Sequence, residues 1–347
     1  MNLRVILSGM LAIGLGGVPA SAPAWTAAGA RLKTRFAGDV VPERPLPEYP
    51  RPQLVRDKWN NLNGIWSYAI TSSEAVKPVD FSEEILVPFP VESSLSGVGQ
   101  SVEKNNVLWY RRTFSAPALR GGECLLLNFG AVNWETEVYI NGHLVGSHRG
   151  GYDPFSFDIS AALNPGSTQE IVVRVSVPAS DQVPRGKQSS DPKQIFYSAS
   201  SGIWQTVWSE IVPKKHITNL AIVPDINQEC VALTVDVSEP GDQPFLAEVL
   251  DEEGQTLTRQ AGSAGTQIRI NVSHPKLWSP EEPNLYRIRV QYGDDSVGSY
   301  FGMRSVFVAK DIHGINRIFL NGRPYFLFGL LDQGYWPDGN GAKIRRI

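Results

Sequence analysis

Cysteine is nearly missing: Cys124 and Cys230 are the only two in 347 residues. They fall in separate apolar stretches, assigned below to different domains. They therefore read as two buried free thiols rather than a disulfide, and a disulfide-stapled scaffold is excluded. An excess of either charge is missing too. The formal net charge is −3, and no basic block is large enough to engage nucleic acid. The 5 histidines are scattered. No zinc-type spacing, phosphate loop or nucleophile elbow occurs, so neither a metal nor a cofactor is expected. Long helical patterns are scarce, which points away from bundles and doubly wound folds. An apolar run of the ~20 residues needed to span a bilayer is also lacking, because Val5 to Val18 falls short and is broken by glycines.

The features present fit a different plan. Arg4, the apolar segment and the small residues Ala20-Ser21-Ala22 and Ala22-Pro23-Ala24 make residues 1–24 a secretory signal with cleavage expected near Ala22 to Trp25. The mature chain is expected to be secreted or periplasmic, without an integral membrane span. No cysteine follows the apolar segment, which argues against a bacterial lipid anchor. Gly 32 and Pro 25, with Trp 9 and Tyr 11, suit many short strands joined by tight turns. The strongest local signal is Thr136-Glu137-Val138-Tyr139-Ile140, then Asn141-Gly142, then His143-Leu144-Val145. Asn-Gly supplies the two positive-φ positions of a type I′ hairpin turn. Further strands are expected at Ile85–Val87, Val107–Phe114, Cys124–Phe129 and Glu170–Val177. Together they describe a jelly-roll sandwich, preceded by a Pro-rich lead-in, over residues 25–212. Strand-like stretches from Ile217 to Val308, including one from Tyr300 to Val308, describe an immunoglobulin-like sandwich of ~100 residues over 213–309.

Several stretches resemble glycoside hydrolase family 2, the family of β-galactosidases and β-glucuronidases. Trp59-Asn60-Asn61-Leu62-Asn63-Gly64-Ile65-Trp66 resembles the opening of its sugar-binding sandwich. Trp109-Tyr110-Arg111-Arg112-Thr113-Phe114, Gly150-Gly151-Tyr152-Asp153-Pro154-Phe155 and Ser201-Gly202-Ile203-Trp204-Gln205-Thr206-Val207 resemble later parts of it. Leu277-Trp278-Ser279-Pro280 with Leu285-Tyr286, and Phe301-Gly302-Met303-Arg304, resemble the second sandwich. The resemblance implies an all-β amino-terminal portion followed by a (β/α)₈ barrel. Residues 310–347 would be the start of that barrel, with Phe326 to Leu331 as its first strand. Barrel chemistry sits at the carboxyl ends of strands. Asp332, Gln333 and Trp336 occupy that place, without the family's usual Asn-x-His pattern, so the sugar is left open.

The resemblance also implies retaining hydrolysis of a carbohydrate by two carboxyl groups about 5–5.5 Å apart. In the family both are glutamates late in the barrel, one in an Asn-Glu pair. No such pair occurs here, so no catalytic residue is assigned and the chain alone is expected to be inactive. Glu135 and Glu137 share a strand face, but they sit in a sandwich strand without a pocket signal. Arg111 and Arg112 point to opposite faces, and whichever is buried is expected to pair with Asp158 or Glu135. The loop from Ala179 to Ser201 offers Asp181, Lys187, Gln188 and Asp191. Spacing alone leaves it as either solvated surface or a source of polar groups for the sugar. Alternatives to an enzyme portion are a non-catalytic carbohydrate-binding module and an assembly protein; a homo-oligomer stays open. The two sandwiches are expected to fold without the tail, and the tail to be unpaired or loosely attached.

Overall fold

The computed structural model describes residues 25–29, 32–72, 77–103, 106–177, 183–241 and 243–342; the signal segment and Asp181 lie outside them. The fold is all-β, and among the described residues no helix is long and apolar enough to cross a membrane.

The first sandwich stacks two antiparallel sheets. One runs in the order Glu83–Val87, Gly64–Ser72, Asn106–Ser115, Thr168–Ser176, Glu135–Ile140, His143–Arg149. The other runs Trp59–Asn61, Val207–Pro213, Glu123–Phe129, Phe155–Asp158. Alternation explains the layers. Val138 and Ile140 bury beside Val173 and Ile171, while Glu137 and Tyr139 turn outward. Trp66, Tyr110 and Phe129 fill the space between the sheets. The Asn-Gly hairpin forms as expected, with φ of 50° at Asn141 and 84° at Gly142. The Asn141 side chain locks it by donating to the Ala162 carbonyl and to Gln169 Oε1.

The second sandwich pairs Ile217–Asp225, Cys230–Val237 and Ile268–Asn271 against Thr256–Gly262, Phe245–Leu250, Tyr286–Tyr292 and Asp295–Phe301. Alternate residues of Tyr286–Tyr292 are buried, the period-2 signature of a strand with one dry face. Both cysteines are buried free thiols. The strand expected from Tyr300 to Val308 is in fact two. Asp295–Phe301 ends in this sandwich, and Val306–Lys310 starts a separate sheet with Asn316–Leu320 and Arg323–Pro324.

Arg56 joins the two sandwiches. Its guanidinium donates to Asp295 on the second (3.0 and 2.8 Å), to Glu210 on the first (3.0 Å) and to the Ile217 carbonyl. Burial alone would lower its pKa; Asp295 and Glu210 outweigh that and hold the cation above its ordinary value. The expected pairing of Arg111 or Arg112 with Asp158 or Glu135 does not occur. Arg112 donates to the carbonyls of Leu62 and Asn63 (3.1 and 2.8 Å), and Arg111 lies over the Phe81 ring. Glu135 pairs with Arg149 instead, and Asp158 accepts from Ser160.

The tail departs from expectation in one part only. Phe326, Leu327, Phe328, Leu330 and Leu331 form no strand and are exposed. Residues 335–342, by contrast, turn back onto the first sandwich. Asp338 is fully buried, and its Oδ2 accepts from the Thr34 amide (2.7 Å) and hydroxyl (3.0 Å). Its carbonyl accepts from the Leu95 amide at 3.0 Å. Trp336 and Ala342 pack with Leu86, Phe89, Leu95 and the lead-in residues Trp25 and Phe36. This segment is integrated into the sandwich because it carries buried polar partners as well as apolar ones.

Candidate functional site

A cavity of about 600 Å³ opens where the loop before Ser201, the turn at Gly151 and the tail meet. Such a volume is in the range of small-molecule sites. Each wall has a local cause. The Gly150-Gly151 turn brings Tyr152 edge-on to Trp204, ring centres 5.7 Å apart, and the Trp204 indole donates to the Gly151 carbonyl at 2.7 Å. Gln188 is buried and bridges two elements. Its Nε2 donates to the Tyr152 hydroxyl at 2.7 Å, and its Oε1 accepts from the Ser200 amide at 2.7 Å. Asn133 donates to the Ser200 carbonyl at 2.8 Å. The tail closes the opposite side. The Tyr335 ring stacks on Tyr197 at 4.3 Å, and the Tyr197 hydroxyl donates to Gln333 Oε1 at 2.8 Å. Burial raises the pKa of both Tyr152 and Tyr335, so they remain neutral phenols.

Behind the wall lies Glu92, a buried carboxyl that sequence reasoning missed. Its Oε2 accepts from the Ser201 amide at 2.9 Å, next to the lining residue Ser200. Burial pushes its pKa from 4.5 up to about 7, against the pull of its Ser201 hydrogen bonds. Nothing in the run Pro90-Val91-Glu92-Ser93 marks that position as buried.

Of the candidate ligands, Gln188 and Gln333 meet at this cavity. Lys187 and Asp191 are exposed, the latter paired with Lys193 at 2.7 Å. Asp332 is exposed and accepts from the Gly334 amide within its own turn. Trp336 belongs to the apolar cluster under the lead-in, not to the cavity wall. Tyr152, Trp204, Tyr335 and Asn133 were not singled out as ligands. The Gly150-Gly151 and Gly202-Ile203-Trp204 motifs were the signal that could have found two of them. No carboxylate lines the cavity among the described residues, and they contain no group of three His, Cys, Asp or Glu able to hold a metal. Glu135 and Glu137 lie elsewhere and are paired with Arg149 and Arg174.

Gly202, just before the lining residue Trp204 in the chain, lies against the sandwich core. Its φ is +79°, and a Cβ there would overlap the Tyr110 hydroxyl. Gly202→Ala is expected to cost about 2 kcal/mol from strain and overpacking. Urea unfolding checks this, and an unchanged midpoint would mean that Tyr110 moves aside freely.

The profile of "Glycosyl hydrolases family 2, sugar binding domain" matches residues 86–208, and that of "Glycosyl hydrolases family 2" matches residues 215–304. A β-galactosidase of Thermoanaerobacter pseudethanolicus is 25% identical over 307 residues, covering 83% of this chain and 40% of that protein. The β-glucuronidase of Canis lupus familiaris is 25% identical over 328 residues, covering 81% of this chain and 49% of that protein. Among solved structures, a β-glucuronidase from Ruminococcus gnavus in complex with D-glucuronic acid superposes with a TM-score of 0.68 at 21% identity. That match covers 85% of this chain and 53% of the other. The chain thus spans about half the length of these relatives.

Proposed function

The chain belongs to glycosyl hydrolases family 2, and from that premise we propose that it is the amino-terminal, sugar-binding portion of an exported glycosidase. The reaction it serves is hydrolysis of O-glycosides with retention, through two carboxyl groups about 5–5.5 Å apart. The observation that carries this reading is the cavity itself, where aromatic rings and side-chain amides converge from both the sandwich and the tail. The names of the relatives, and the glucuronic acid bound by the Ruminococcus gnavus enzyme, support a carbohydrate as ligand. No carboxylate lines the cavity among the described residues, and no Asn-Glu pair occurs in the sequence. On this reading these residues hold sugar and do not cleave it, which also accommodates the binding-module alternative.

Purified chain incubated with a panel of nitrophenyl glycosides should release no nitrophenol above the buffer rate. Turnover that follows the protein through two columns and disappears in Asp332→Asn would overturn the assignment. Export is read separately. Amino-terminal sequencing of secreted protein should begin between Ala22 and Trp25, and an intact Met1 on soluble protein would refute it.

A further inference from the structure

We infer that the cavity takes a neutral pyranoside and discriminates against a uronic acid, an inference that rests on the carbohydrate reading above. The argument is one of charge and of donor and acceptor balance. Arg51 is the one cationic residue among the described residues that line the cavity. Its charge is met by Glu210, with Nη2 2.9 Å from Glu210 Oε2, and of its buried nitrogens only Nε lacks a partner. One further acidic side chain stands behind the wall, Glu92 beside Ser200–Ser201; Glu210 is spent on Arg51 and Arg56. A sugar carboxylate brought here would lose hydration and gain no free cation, the costly case for a buried charge.

A sugar hydroxyl both donates and accepts, and so does a side-chain amide. Asn133, Gln188 and Gln333 each keep an amide hydrogen or a carbonyl lone pair beyond the contacts above, so they match a ring of hydroxyls, whereas a carboxylate only accepts. Tyr152, Trp204 and Tyr335 supply flat apolar surface for the C–H face of a pyranose. The cavity is thus polar enough to orient hydroxyls, and its lining among the described residues lacks the spare positive charge that an acidic sugar requires.

The test is isothermal titration of the purified chain at neutral pH and low salt with methyl β-galactopyranoside, methyl β-glucopyranoside and methyl β-glucuronide. At least one neutral glycoside should bind tenfold or more tightly than the uronide. Gln333→Arg, a change at an exposed rim position, should raise uronide affinity at least tenfold by adding an unpaired cation. Uronide binding equal to or tighter than that of both neutral glycosides overturns the inference and leaves the carbohydrate reading standing. No gain for Gln333→Arg would show that sugar sits elsewhere and likewise overturns it. Absence of heat from all three sugars at millimolar concentration overturns the carbohydrate reading, and the inference with it.

Discussion

Exchanging Arg56 for methionine is expected to destabilise the folded chain by about 3–5 kcal/mol and to split its unfolding into two transitions. The reason is what remains rather than what is removed. Glu210 would still accept from Tyr49, Arg51 and the Trp208 indole (2.6, 2.9 and 2.6 Å). Asp295, also buried, would keep the Ile217 amide at 2.8 Å. A buried carboxylate with one donor is the costly outcome, and the same guanidinium is what ties one sandwich to the other. The double variant Arg56→Met with Asp295→Asn should recover much of the loss, since it removes the stranded charge; the cycle isolates the pair. Urea titration followed by tryptophan fluorescence reads both effects. A single transition with less than about 1 kcal/mol of change would place the strength of the joint elsewhere, as expected of a pair that solvent screens.

The second large effect is a pH dependence. Glu92 has a folded pKa of about 7 against an ordinary 4.5, because burial disfavours its charged form. A carboxyl raised in this way holds its proton more tightly when folded than when unfolded. Its contribution is therefore fully present below pH 4.5 and is lost as pH rises through about 7. At about 1.4 kcal/mol per pKa unit, that amounts to roughly 3 kcal/mol between those limits. Glu92→Gln keeps an oxygen for the Ser201 amide and cannot ionise, so the variant should lose almost none of this increment. Denaturant midpoints at pH 4.5, 6 and 8 for both proteins provide the comparison. Parallel curves would mean that Glu92 is solvated in the folded state.

Much of the architecture was legible because its causes are local. Asn141-Gly142 and Asn321-Gly322 fix turns through positive φ, and the alternation from Tyr286 to Tyr292 fixes a face. The features that were not legible depend on residues far apart in the chain. Arg56 finds Glu210 and Asp295 at separations of 154 and 239 residues, and no pattern near Arg56 announces either. Arg112 was expected to need a carboxylate, but two backbone carbonyls satisfy it. The run from Phe326 to Leu331 has the composition of a buried strand, yet it is exposed because composition cannot supply a neighbouring strand. At the cavity, Gln188 and Gln333 stood out as polar residues in suggestive loops. Tyr152 and Trp204 were embedded in motifs that read as framework.

The contact between Thr34 and Asp338 bears on how the molecule is made. Thr34 leaves the ribosome 304 residues before its partner; until then the lead-in is held only by earlier contacts, such as Ala28 with Ser94 and Trp25 and Phe36 with Leu86, Phe89 and Leu95. The entropy of closing so long a loop grows only logarithmically with its length; the delay is one of delivery, not of thermodynamics. Both sandwiches have all their strands by Phe301, and Thr34 meets Asp338 only after that. A protease in the compartment of synthesis therefore meets a lead-in that lacks this one contact until Asp338 arrives.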